Sequence, residues 1–400
     1  MLPDESPVWR FVNYGTVRQV ADLLPKSGIA PCDINKDGKS LLHFAVEWKR
    51  PDMCSYLLNN GVNQFFEDTS GFSAAMMAWE IVIPWDATKA LAEKTDAIQQ
   101  LFKKDDVFEN FRFSPLHHAL LSMPDEDFGK QLKLNFSWVN HQDALGRTPL
   151  AWAAAKNYLG KARQLLEAGA DVKIADRHGK TALHWAAAAK AFDILSALLD
   201  RGADLEARDI IGRTPVWEAA HAPNSHDVFA LMIRHGVKID SRDDIYERTP
   251  LHLATYQGQA ANVISLLGFG ADIEISTTTG RTPVSQAITY NQLSTLKILI
   301  QNKARMNVVD KWGETVLHLA ARFSPPEVMR LLQSASLDGV RLDAVNVEGR
   351  TAAELFVHER KISYYGEEDP EDSAAQAFEN LCLKVKEAEA EMKAFCGLCC

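Results

Sequence analysis

Apolar and polar positions along this chain recur with a fixed long period. A short alanine-rich run, such as Ala151 to Ala155 or Ala186 to Ala189, gives way to a polar step. A leucine pair follows: Leu165-Leu166, Leu198-Leu199, Leu266-Leu267 or Leu331-Leu332. Each period predicts a short first helix rich in alanine and a second helix carrying the leucines. One motif opens the first helix throughout: Thr148-Pro149-Leu150, Thr181-Ala182-Leu183-His184, Thr214-Pro215-Val216, Thr249-Pro250-Leu251-His252, Thr282-Pro283-Val284 and Thr315-Val316-Leu317-His318. Its threonines step by 33, 33, 35, 33 and 33 residues. A glycine stands two residues before each, except at Glu247.

Each part has a local reason. A Thr or Ser hydroxyl caps free backbone N–H groups at a helix start, and proline at the first helical position loses no hydrogen bond. Small residues let neighbouring helices approach closely. The second helix ends at a glycine, as in Gly169-Ala170-Asp171, Gly202-Ala203-Asp204 and Gly270-Ala271-Asp272. Glycine there can take the left-handed conformation that closes a helix. The aspartates sit at turns, where local backbone hydrogen bonding explains them. One such unit cannot bury its apolar face alone, whereas stacked units bury a continuous core.

A period near 33 residues with Thr-Pro-Leu-His, a leucine pair and a glycine resembles the ankyrin repeat. The resemblance implies an all-α solenoid of stacked helix-turn-helix units with hairpin fingers. It covers most of the chain. Residues 1–39 are expected to form N-terminal capping helices or a half-repeat, from Trp9 to Tyr14 and Val17 to Leu24. Residues 40–358 are expected to hold about nine to ten repeats, irregular at 73–135. Ser40-Leu41-Leu42-His43 is a good early copy, and Ser73 to Glu80 and Ser114-Pro115-Leu116-His117 are degenerate ones. An insertion is expected near Pro84 to Ala92. Asn346 to Leu355 opens the last copy.

Residues 359–373 read as an acidic linker and 374–400 as a C-terminal amphipathic helix with a cysteine-rich end. Phe378, Leu381, Val385, Ala388, Met392 and Phe395 make its narrow apolar stripe. This stripe is too short for a convincing coiled coil. A capping helix on the last repeat, leaving a monomer, is the expectation; dimerisation or partner binding is the rival.

The net charge of −10 falls unevenly. From Glu359 to Cys400 there are five basic and ten acidic residues. This balance argues against a general nucleic-acid binder, which should show a basic footprint, so no nucleic-acid partner is expected, while a local basic face stays open. Met1 to Asn13 carries Asp4 and Glu5 and no apolar run, so no secretory leader is expected, and no stretch suits a membrane span. The expected compartment is the cytoplasm, with the nucleus as the other candidate. Cys396, Cys399 and Cys400 leave S-acylation open. That gives the alternative function, a peripheral membrane regulator anchored through its tail.

Catalytic signatures are missing. The chain contains no H-E-x-x-H, G-x-S-x-G or G-x-x-x-x-G-K-[ST]. His43, His117, His184, His252 and His318 all occupy the fourth motif position. The resemblance implies a structural role for them, bonding to backbone and linking adjacent units. No catalytic residue, metal or cofactor is expected.

The resemblance implies a protein partner bound on a concave face of turn tips and first-helix ends. Two features map there. The first is a basic ladder before the motif threonine: Arg147, Lys180, Arg213, Arg248 and Arg281, with Lys39 and Arg350 in outer copies. The second is a set of aromatics on three successive repeats: Tyr246, Tyr256, Tyr290, Trp312 and Phe323. Tyr and Trp at contiguous exposed sites are the usual anchors of interfaces. The candidate partner-binding set is therefore Tyr246, Arg248, Tyr256, Arg281, Tyr290, Trp312 and Phe323. Aromatics flanked by basic groups suit a peptide with apolar and acidic residues, and reversing Arg248 and Arg281 is expected to slow association without harming the fold. Trp152, Trp185 and Trp217 lie nearer the motif core and are expected to pack.

Overall fold

A computed structural model describes residues 7–27, 29–69, 73–80, 97–98, 100–102, 111–363 and 373–397. The expected insertion near 84–92 lies outside the described residues. Among the described residues the regular elements are helices, joined by isolated antiparallel bridges such as Ala175 to Thr181 and Val309 to Thr315. The chain divides into two compact units, Met1–Asp204 and Leu205–Cys400.

The first unit contains α1 (Pro7–Tyr14), α2 (Val17–Ser27), α3 (Leu41–Glu47), α4 (Pro51–Asn59), α5 (Ala74–Glu80), α6 (Pro115–Ser122), α7 (Asp125–Leu134), α8 (Pro149–Ala155), α9 (Leu159–Glu167), α10 (Ala182–Ala188) and α11 (Phe192–Asp200). Thr148 shows why the helices begin where they do. It sits in extended backbone at φ −82° and ψ 163°, and its Oγ1 accepts from Ala151 N–H at 3.2 Å. Pro149 takes the first helical position. First helices stack on first helices, α6 on α8 and α8 on α10; second helices stack likewise, α7 on α9 and α9 on α11. The N-terminal pair joins both rows, α1 on α3 and α2 on α4.

Polar side chains tie the two rows together by occupying helix C-termini, where unpaired carbonyls collect. Arg50 donates to Asn13 O at 3.0 Å and Gly15 O at 2.8 Å, closing α1. Lys161 donates to Leu120 O at 2.7 Å and Met123 O at 2.6 Å, closing α6.

The second unit contains α12 (Pro215–His221), α13 (His226–Arg234), α14 (Pro250–Tyr256), α15 (Ala260–Gly268), α16 (Pro283–Thr289), α17 (Leu293–Gln301), α18 (Val316–Phe323), α19 (Pro326–Leu332), α20 (Ala352–Ser363) and α21 (Ser373–Gly397). First helices stack in the order α12, α14, α16, α18, α20, and second helices in the order α13, α15, α17, α19, α21. Neutral Asn262 does the capping here, donating to Ala222 O at 2.7 Å and Ala220 O at 3.2 Å.

The C-terminal helix α21 therefore covers α19 in the position of a further second helix, and α20 is the first helix of that last pair. Phe356 of α20 stacks on Phe378 of α21 with ring centroids 4.4 Å apart. Ala374, Ala377, Phe378, Leu381 and Val385 are buried, while Gln376, Glu379, Asn380, Lys384 and Glu387 face outward. A polar outer face is what ends a stack. Helix α20 runs to Ser363, past the boundary at 358 expected from sequence. Cys396 lies in the last turn of α21, and Cys399 and Cys400 lie outside the described residues.

Candidate partner-binding surface

The fingers between repeats are built by one side chain. Asp143 Oδ1 accepts from Leu145 N–H and Arg147 N–H, both at 2.8 Å. Asp176, Asp209, Asp310 and Asn346 make the same pair of bonds in their own fingers, and Asp243, in a finger one residue longer, accepts from Tyr246 N–H and Arg248 N–H. Thr277 does it through its hydroxyl, at longer distances of 3.3 and 3.2 Å. A short polar side chain bonding its own backbone is what defines such a turn. Repetition of Asp or Asn five residues before the motif threonine, six at Asp243, was the available signal for this role, and it attracted no assignment.

Within the second unit the finger tips are bonded to one another through backbone. Asp244 N donates to Ile211 O, Thr278 N to Tyr246 O, Lys311 N to Thr279 O and Val347 N to Trp312 O, each at 2.9 Å. The glycine slot in each finger holds a left-handed residue, Gly280 at φ +77° and Gly313 at φ +72°. A Cβ on Gly313 would meet Asn346 Cα at 3.1 Å, so this slot also keeps the next finger close. Glu247 fills it once, at φ +53°.

The five motif histidines are buried. Thr249 N–H donates to His252 Nδ1 at 3.2 Å, and Nε2 faces Arg281 O of the next repeat at 3.2 Å. A carbonyl can only accept, so the proton belongs on Nε2 and the ring is neutral. His117 faces Arg147 O and His318 faces Arg350 O in the same way. Burial pushes the pKa of His117 down to about 3 and that of His252 down to about 4.

The basic ladder is largely occupied inside the fold. Arg147 is 2% exposed, with its guanidinium 5.3 Å from the Trp152 ring and 4.4 Å from the Trp185 ring. Arg213 lies over Trp217. Arg248 pairs with Asp243 at 2.9 Å and lies over Tyr246 at 4.8 Å. Arg281 reaches Asp310 at 3.3 Å and Glu314 at 3.7 Å, and covers Trp312 at 5.2 Å. Glu314 stands at the ladder position itself, where Arg147, Lys180, Arg213, Arg248 and Arg281 stand in other repeats, and it also takes Arg322 at 2.9 Å. Trp152, Trp185 and Trp217 are buried.

The aromatic candidates are all on the outside. Tyr246, Tyr256, Tyr290, Trp312 and Phe323 are 47, 45, 48, 39 and 40% exposed. Tyr256 and Tyr290, on adjacent first helices, meet edge to face with centroids 4.5 Å apart. Tyr246 and Trp312 project from bonded finger tips. Arg281 joins the two groups, since it covers Trp312 and its Nη1 donates to Thr289 Oγ1, next to Tyr290, at 3.5 Å. Ile210, Ile245 and Val347, at 67, 50 and 70% exposure, extend the finger-tip row, and sequence reasoning did not select them. Isoleucine and valine read as core residues in a pattern search, and only the turn places them outside.

Among the described residues, no group of three His, Cys, Asp or Glu side chains could hold a metal ion, and no helix is long and apolar enough to cross a membrane. A family model for "Ankyrin repeats (3 copies)" matches residues 116–209 and 261–346, and one for "Ankyrin repeat" matches residues 37–64. The chain is 30% identical over 127 residues to B-cell lymphoma 3 protein of Homo sapiens, covering 30% of this chain and 28% of that protein. Inversin of Canis lupus familiaris is 25% identical over 256 residues, 62% of this chain and 20% of that one. A crystal structure of the human ASB11 ankyrin repeat domain aligns at 27% identity and a TM-score of 0.49, over 60% of this chain and 98% of that chain. The aligned parts span 28, 41 and 26% of the first curated relatives, well short of their full lengths. The two family models, together with the finger and histidine geometry repeated through both units, show that this chain belongs to the ankyrin-repeat family.

Proposed function

We propose that the chain is an intracellular scaffold or adaptor that binds a partner protein or peptide and has no catalytic activity of its own. The binding surface is the finger-tip and first-helix row of the second unit: Tyr246, Arg248, Tyr256, Arg281, Tyr290, Trp312 and Phe323. One observation carries this reading. Five large aromatics from three successive repeats are exposed, Tyr246 and Trp312 on fingers whose backbones are bonded to one another and Tyr256, Tyr290 and Phe323 at first-helix ends. Exposed apolar surface of this kind marks interaction sites. Holding it on bonded backbone lowers the ordering cost of association. The chain acts as a monomer in the cytoplasm or nucleus.

Proximity labelling in the source cell, followed by calorimetric titration with the recovered partner, tests the reading. Trp312→Ala and Tyr256→Ala each weaken binding by about 2 kcal/mol or more if these rings are anchors. Their melting curves stay close to that of the parent. Unchanged affinity in both variants would place the site elsewhere.

A further inference from the structure

The fingers and first helices of the first unit carry a charge pattern opposite to that of the whole chain, whose net charge is −10. Residues 111–122, 139–158 and 172–191 include α6, α8, α10 and the finger residues before them. They hold seven Lys and Arg against two Asp and Glu. The two acids are Asp143 and Asp176, both buried.

Those carboxylates are committed to the fold. In each, Oδ1 takes two finger N–H groups and Oδ2 takes an indole. Trp152 Nε1 donates to Asp143 at 2.7 Å, and Trp185 Nε1 donates to Asp176 at 3.1 Å. In the second unit the corresponding oxygen goes to an arginine, with Arg248 on Asp243 at 2.9 Å and Arg281 on Asp310 at 3.3 Å. Arg147 stays 3.8 Å from Asp176, beyond hydrogen-bond distance.

The cations reach the surface. Arg112, Arg177 and Lys190 are exposed, and Lys156 and Lys180 are half-buried. Arg112 and Arg177 flank a finger that backbone bonds join to both of theirs, Ala144 N to Phe111 O at 2.6 Å and Arg177 N to Leu145 O at 2.9 Å. Lys156 caps α8, and Lys190 follows the cap of α10, the helix stacked beside it. Lys180 lies over the Trp185 ring at 5.1 Å, and Arg147 over the same ring at 4.4 Å. The Lys156 and Arg177 side chains have no partner among the described residues. Burial, and after it the charge of Arg147, push the Lys156 amine down to about 8. An amine shifted in this way lacks a carboxylate to offset its charge.

The complement of such a face supplies anions. Trp152 and Trp185 are 4 and 3% exposed, so the rings beneath the cations are closed to the base stacking that single-stranded nucleic acid uses. An extended acidic peptide needs no such platform and can set successive carboxylates against successive repeats.

We infer that this face is a second binding surface, taking an extended peptide segment rich in Asp and Glu across Lys156, Arg177, Lys180 and Lys190. It stands whether or not the aromatic surface of the second unit binds.

Fluorescence anisotropy of the full chain with a labelled peptide of alternating glutamate and serine tests this, beside the same peptide with glutamine for glutamate. At low salt the glutamate peptide is expected to bind at least about tenfold more tightly than its glutamine counterpart. Its affinity should fall at least about tenfold as ionic strength rises from about 0.03 M to about 0.3 M. Lys156→Gln/Arg177→Gln should weaken it at least about fivefold, with an unchanged melting curve. Lys297→Gln/Arg305→Gln removes two exposed cations from the second unit. That variant should keep its affinity within about twofold. Only the charged amine attracts a carboxylate, so affinity should also fall as the pH is raised through about 8, and Lys156→Gln should abolish this fall. Equal binding of the two peptides, equal losses in the two double variants, or a pH dependence that survives Lys156→Gln would each overturn the inference. A single-stranded oligonucleotide that binds this face more tightly than the glutamate peptide would overturn it too, and would assign the face to nucleic acid.

Discussion

His252 Nε2 of one repeat donates to the carbonyl oxygen of Arg281 in the next at 3.2 Å, while its Nδ1 accepts the Thr249 N–H. Both bonds require a neutral ring. Burial holds the pKa near 4, with Arg248 and Arg242 adding to the depression and Asp243 and the Arg281 carbonyl opposing it. The unfolded chain takes up this proton near pH 6.5. Stability is therefore intact above that value and falls as the pH is lowered toward about 4. In the middle of that window each such histidine contributes a slope of about 1.4 kcal/mol per pH unit. His252→Gln should flatten the slope by about this much in urea titrations run between the two limits. An unchanged slope would show that the ring is not buried neutral.

Glu247 at φ +53° occupies a slot that is glycine in the neighbouring fingers. A left-handed non-glycine residue costs about 1–2 kcal/mol. Its ion pair with Arg242 is between exposed partners and recovers little of that. Glu247→Gly should raise stability by about 1 kcal/mol, read as a higher urea midpoint with an unchanged slope.

Arg281→Glu should act on folding as well as on binding. The reversal would place a third carboxylate against Asp310 and Glu314, both nearly buried. Removing one member of a buried ion pair costs about 3–5 kcal/mol, and reversal costs at least as much. Thermal melts should show a clear loss for Arg281→Glu. A variant that melts like the parent would mean that these carboxylates find other partners.

Deleting residues 374–400 should destabilise the second unit. It uncovers Val328, Met329 and Leu332 of α19 together with Phe356 of α20, all buried in the intact chain. The truncated protein should melt earlier and bind a hydrophobic dye. A truncation as stable as the full chain would show that α21 contributes nothing as the final second helix.

Period, helix starts and buried histidines were legible because they are local events written into every copy. Thr148 caps its own helix and His184 bonds its own Thr181, three residues away. The arginines were not legible. Whether Arg281 is free or paired depends on Asp310 and Glu314, which approach only when the next repeat stacks. The basic ladder seemed open because a sequence lists neighbours along the chain and not across it. The tail helix was read correctly as apolar on one face. It was also expected to cover the last repeat, and α21 packs on α19.

One set of bonds running from finger tip to finger tip, from Ile211 O through Val347 N, joins main-chain atoms to main-chain atoms. The side chains carried at Ile245, Thr278 and Lys311 can thus be exchanged without touching what holds the row together. Recognition and architecture are written in separate alphabets here. A lineage could retarget such a protein by small steps at the tips, each invisible to the core, and keep a working fold throughout.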